Sequence, residues 1–139
     1  MALRIADTTL DAGVDAIVDL IDVGSGSNGT IEFYSGSRPA AVGDAPTGTH
    51  LATVSYQDPA FGASSGTTAS ALGVPLTTTG LDDGTIGWCR VLDADGNALW
   101  DDDDVGTSAS NNITVNTTTV SNGVDFELVS HDFGLDDET

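Results

Sequence analysis

The side chains that could do chemistry are few. Histidine is the usual general base at neutral pH, and the chain carries His50 and His131. A nucleophile would have to come from Cys89 or a serine. No nucleophile-elbow sequence is present, and Cys89 lies between Trp88 and Arg90 in an alternating run (86–92) that suits a buried small hydrophobe. Neither histidine belongs to a catalytic motif, so the residues point away from an enzyme. Carboxylate pairs of the kind a glycosidase uses occur throughout, because so acidic a chain supplies them by chance. Oxygen ligands for a hard cation, Ca²⁺ or Mg²⁺, are densest at Asp93, Asp95, Asn97 and Asp101, the last opening the run 101–104. The spacing departs from an EF-hand loop, since Gly96 comes too early and no glutamate closes it. A β-turn bearing solvated aspartates, with loosely associated cations, accounts for the same residues. The glycine-rich stretch 24–29 follows a helical pattern rather than a strand and lacks a phosphate-binding lysine, so it reads as a connector.

Charge bounds the partners. There are 22 acidic residues against three arginines (Arg4, Arg38, Arg90) and no lysine, a formal net charge of -19. Direct binding to nucleic acid or to an anionic membrane is excluded as a main function, because almost nothing neutralises phosphates. Mimicry of DNA would concentrate the acid on one element, whereas here it runs from Asp7 to Glu138. Hydrophobic residues still make up 39% of the chain and recur in short runs, so a packed core is expected rather than acidic disorder. At roughly 1 M salt the Debye length is about 3 Å and carboxylate repulsion is largely screened, which marks concentrated salt as the natural solvent. A single cysteine forms no internal disulfide, and sequons at Asn28, Asn112 and Asn116 are fortuitous in so threonine-rich a chain. The N-terminus lacks the apolar core of a signal peptide, and no stretch is long enough for a membrane-spanning helix, so synthesis and assembly in the cytoplasm are expected.

The elements that must position these groups follow from periodicity. Leu10, Val14, Ile17, Val18 and Ile21 share one helical face and Asp11, Asp15, Asp19 and Asp22 the other, predicting an amphipathic helix over about 7–22 with Asp7 as N-cap and Gly24 as stop. Seven strands are expected beyond it: 30–34, 50–56, 67–74, 85–92, 98–101, 112–117 and 124–133. The clearest hairpin joins 86–92 to 98–100 through the Asp/Gly turn at 93–97. A second pairs 113–117 with 124–128 across a loop containing Asn122 and Gly123. The sum is one domain over 1–139, mainly β: an antiparallel β-sandwich, jelly-roll or Ig-like Greek key, with one N-terminal amphipathic helix and a frayed acidic tail at 134–139. Phe33 and Tyr34 are strand neighbours and point to opposite faces, which makes the outward one a candidate subunit contact.

Several stretches carry a resemblance. The opening MALR with its aspartate-rich helix, GTIEFYSGSRPA at 29–40, LATV at 51–54, PAFG at 59–62, GWCR at 87–90 and DADGN at 93–97 resemble a family of small virion-associated proteins of tailed phages and prophages. The likeness spans nearly the whole chain and implies a fold rather than a catalytic residue. Departures in charge and in the acidic tail imply a haloarchaeal version. The implied role is a virion structural protein of a tailed virus of halophilic archaea: a capsid decoration or cement protein located in the virion, bridging subunits of the major capsid protein and forming a homo-oligomer. The alternatives are a tail, neck or vertex-turret ring subunit, or a receptor- or glycan-binding module on the virion surface.

Overall fold

The computed structural model describes residues 3–26 and 28–136. Helix α1 spans Asp7–Asp19 and tightens into a 3-10 turn at Leu20–Asp22. Leu10, Val14 and Val18, spaced by four, are buried along it, and Ile21 continues the stripe at full burial, whereas Ile17 is only half-buried. The start differs from expectation. Ala6 holds the extended cap position without a side-chain bond, and its carbonyl accepts from the Thr9 and Leu10 amides. Asp7 stands instead in the first turn, where its negative charge meets the positive end of the helix dipole.

Among the described residues ten strands follow: β1 Thr30–Ser35, β2 His50–Ser55, β3 Thr68–Ser70, β4 Leu76–Thr79, β5 Gly84–Leu92, β6 Ala98–Asp102, β7 Val105–Gly106, β8 Ile113–Val115, β9 Thr119–Val120 and β10 Asp125–Gly134. They form two five-stranded sheets. The first has the order β2-β1-β5-β6 with β9 on the beginning of β5; the second has β3-β10-β8-β7 with β4 also on β10. The chain fills them alternately: β1 and β2, then β3 and β4 opposite, then β5 and β6 back in the first. Pairing is antiparallel except between β7 and β8, which run parallel. The architecture is the expected mainly β sandwich with one N-terminal helix. One continuous core joins the sheets, typified by Phe33 of β1 edge-on to Phe126 of β10 with ring centroids 5.0 Å apart.

The hairpin of β5 and β6 forms as read, its register running Leu92↔Ala98 to Cys89↔Asp102. The second predicted pair also forms, Val115↔Leu128 and Ile113↔His131, but the intervening residues cross to the other sheet as β9 before returning. The strand expected over 67–74 shortens to Thr68–Ser70, and a separate strand begins at Leu76 beyond Gly73 and Pro75. The expected frayed tail is partly ordered: the Leu135 amide bonds the Thr67 carbonyl, while residues 137–139 lie outside the described residues.

Candidate functional site

Three polar constellations lie where chemistry could occur. The first runs across the outer face of the first sheet. Alternation on β1 and β5 turns Phe33, Cys89 and Val91 into the core and Glu32, Tyr34, Trp88 and Arg90 outwards. His50 stacks on Tyr34 and Tyr34 on Trp88, with centroids 4.9 and 4.7 Å apart, and the Arg90 guanidinium lies 5.3 Å from the Trp88 ring centroid. Arg90 grips Asp101 of β6 with Nε and Nη2, at 2.7 and 3.0 Å. Tyr34 donates to Glu32 at 3.0 Å, and burial together with that carboxylate pushes its ionisation well above the usual tyrosine range.

This outward row is not a surface. The loop 36–49 closes over it, held by Trp88 Nε1 donating to the Thr47 carbonyl (3.3 Å), Arg90 Nη1 to the Asp44 carbonyl (2.9 Å), and Arg38 facing Asp103 at 3.6 Å. The neck of the loop is pinned by Ser35 and Thr49, each amide bonding the other residue's oxygen. Trp88 is fully buried and Tyr34 only 6% exposed, which corrects the expectation that the outward aromatic is a subunit contact. The sequence carries little sign of this cover, since the loop is built mostly of small residues and is almost wholly exposed on its own account.

The second constellation holds the cation candidates, and the fold separates them. Asp93 Oδ1 accepts the Asp95 and Asn97 amides and Oδ2 the Asn97 side-chain amide, so the two residues close the β5–β6 turn; these bonds, led by those of Asn97, hold the Asp93 carboxyl below its ordinary range. Asp95 reaches away to accept the Ser25 amide at 3.1 Å. Asp101 belongs to Arg90, on the far side of the hairpin register. The rest of the run divides likewise: Asp102 accepts the Asp104 amide and the Asn112 side chain, Asp103 faces Arg38, and Asp104 accepts Asn111 Nδ2 and the Asn112 amide. Beside this network a cleft of about 620 Å³ opens between β6, the loop 109–112 and the end of β10, walled by Trp100, Phe133, Asp102 and Asp132. Its carboxylates are largely engaged by protein donors, Asp132 accepting from the Ser70 hydroxyl at 2.6 Å. Among the described residues no group of three or more His, Cys, Asp or Glu is placed to hold a metal ion.

The third constellation is internal. His131 of β10 is 1% exposed, its Nδ1 2.7 Å from Tyr56 Oη, its ring edge-on to Phe61 at 5.1 Å and near Trp100 at 6.2 Å. Burial alone drives its pKa down to about 3, leaving a neutral imidazole. Cys89 is fully buried, and burial, then the Asp102 carboxylate, push its thiol well above the ordinary range, so it is no thiolate nucleophile at neutral pH. His50, the other base, stacks on the opposite face of the sheet from Cys89 and bonds Thr53 Oγ1 at 2.8 Å. The sheet thereby stands between His50 and Cys89.

No protein-family model, curated protein or solved structure matches this chain. Function rests on what its own side chains do, and the least expected of these is the acidic helix face. Asp11 Oδ1 accepts the Thr67 amide at 2.8 Å, Asp15 Oδ1 the Ser64 amide at 2.7 Å and Asp22 Oδ1 the Ala60 amide at 3.0 Å. A wet face in the sequence is a row of clamps on segment 58–67. The register of Asp11 and Asp15, four apart, carries the signal that one segment could meet both. Among the described residues no helix is long and apolar enough to cross a membrane.

Proposed function

We propose that this chain is a virion structural protein of a tailed virus of halophilic archaea, acting as a decoration or cement protein that bridges subunits of the major capsid protein. The observation that carries the reading is the use of its carboxylates. Asp11, Asp15, Asp22, Asp93, Asp101, Asp102 and Asp104 all accept hydrogen bonds from the chain's own donors and tie loops to the sandwich. The nucleophile and the buried base are walled into the core. Such an inventory supports a durable body whose work is contact rather than turnover. Its resemblance to small virion-associated proteins of tailed phages supplies the setting, and the net charge of -19 suits a particle assembled in concentrated salt.

The mechanism would be linkage. A protein that binds the assembled shell and not the free subunits stabilises assembly by the free energy of that binding, and repeated copies multiply the effect. Mass spectrometry of purified virions separated into heads and tails tests this. On the order of hundreds of copies on tailless heads are expected from an icosahedral lattice, whereas a ring's worth confined to necks or tails would overturn the decoration reading.

A further inference from the structure

We propose that the Tyr56–His131 pair is an acid-operated catch: gain of a proton by His131 frees segment 56–72, and helix α1 with it, from β10, while the β1–β2–β5–β6 sheet stays closed. This inference is independent of the virion reading.

His131 sits where the freed piece joins the rest. Its carbonyl accepts the Ala71 amide at 2.9 Å, its backbone pairs with Ile113 of β8, and its ring bonds Tyr56 and packs on Phe61. Segment 56–72 is a unit in itself, closed by Leu72 amide to Ala60 carbonyl (2.8 Å), Gly62 amide to Ser70 carbonyl (3.0 Å) and a bridge between Phe61 and Ala71. It is bound to the helix by Asp11, Asp15 and Asp22. The segment also pairs with β10 through β3, from Ser70↔Asp132 to Thr68↔Gly134, so opening at His131 unzips that short ladder, and the carboxylate clamps carry the helix with the segment.

An imidazolium at this position would meet no counter-charge. Tyr56 faces the ring from the end of β2, Phe61 from the loop beyond it and Trp100 from β6. Of these only Tyr56 titrates, with Cys89 of β5 behind it, and burial keeps both neutral. Asp132, next along β10, faces Ser70 instead. The charge is tolerated only when the Tyr56–Phe61 cover lifts and admits water.

The sign follows from proton binding. Closed, His131 stays neutral down to about pH 3, whereas opened to water it titrates near its ordinary 6.5. The closed form is fully favoured above about 6.5 and loses ground as pH falls, so at pH 4.5 the opening equilibrium is raised by about 100-fold, ten for each unit below 6.5. Asp22 cannot mimic this. Its carboxyl is pushed up by burial, so the closed form holds that proton more tightly and acid there opposes opening.

Hydrogen–deuterium exchange on the full chain in molar salt, corrected for intrinsic rates, tests the catch. Between pH 7 and 4.5, protection in peptides over 7–22 and 56–72 is expected to fall by about 100-fold while that over 86–92 holds. His131→Phe, an aromatic that cannot titrate, removes the pH dependence, and Tyr56→Phe retains it from a higher starting rate of opening. Protection unchanged with pH, equal loss in all peptides, or persistence of the effect in His131→Phe would overturn the proposal. Should His131→Phe fail to fold, the contrast between peptides of the unaltered chain still decides.

Discussion

Replacing Arg90 by methionine isolates the value of the buried Arg90–Asp101 ion pair. Arg90 and Asp101 side chains are 5% and 4% exposed, and methionine keeps most of the arginine stem while deleting the charge and the fork. Asp101 is then a lone buried carboxylate. Breaking a buried pair from one side costs about 3–5 kcal/mol, because the remaining charge is left without compensation. Loss of the Asp44 contact loosens the loop 36–49 and uncovers Trp88, so the defect should also appear as a change in tryptophan emission before global unfolding. A second substitution separates this account from a simple packing loss. Arg90→Met/Asp101→Leu, which removes both charges, should recover most of the stability. Denaturant melts of both variants in molar salt would measure it. A penalty under about 1 kcal/mol, or one that the double variant does not relieve, refutes the reasoning.

Removing salt should destabilise the fold, because the screening length grows from about 3 Å at 1 M to about 30 Å at 0.01 M around a net charge of -19; equal melting temperatures in the two solvents would count against salt adaptation. Asp15→Ala leaves the Ser64 amide without its acceptor and should cost about 1 kcal/mol, with faster amide exchange confined to 60–67. Gly87→Ala drives a methyl into the Gly36 carbonyl at the neck of the covering loop and should cost about 1–3 kcal/mol in denaturant melts, where a neutral result would mean that the neck can yield. Cys89 should react with a thiol reagent only as fast as the chain unfolds, and rapid native labelling would disprove its burial.

Period-two alternation was enough to find β1, β2, β5, β6 and β10, because each has one apolar face and clear turn residues at its ends. It could not find β7 or β9, two residues each, whose existence depends on partners distant in the chain. Leu76–Thr79 is hidden for a related reason, since threonines on a half-wet edge look like loop. The candidate cation residues were adjacent in sequence but not in purpose: a hairpin turns Asp93 and Asp101 to separate tasks, and nothing in their spacing reveals that Arg90 claims one of them. His131 was visible as a strand residue next to the phase of Phe126 and Leu128, yet a slip in register after Leu128 is what carries it into the core. The clamping role of Asp11, Asp15 and Asp22 was hidden because an acidic helix face and a solvated one are written with the same letters.

Strand β10 is the hub of its sheet, with β3 and β4 end to end along one edge and β8 along the other. A ribosome delivers it after every strand that depends on it. The growing chain can close β1, β2, β5 and β6 early, but β3 and β4 must wait as unpaired ribbons, and the β7–β8 pair must wait with one edge of β8 open, until residues 125–134 emerge. Non-local pairing of this kind is slow and exposes edges meanwhile. The dispersed negative charge then gains a use during synthesis: waiting chains repel one another before they can pair in error.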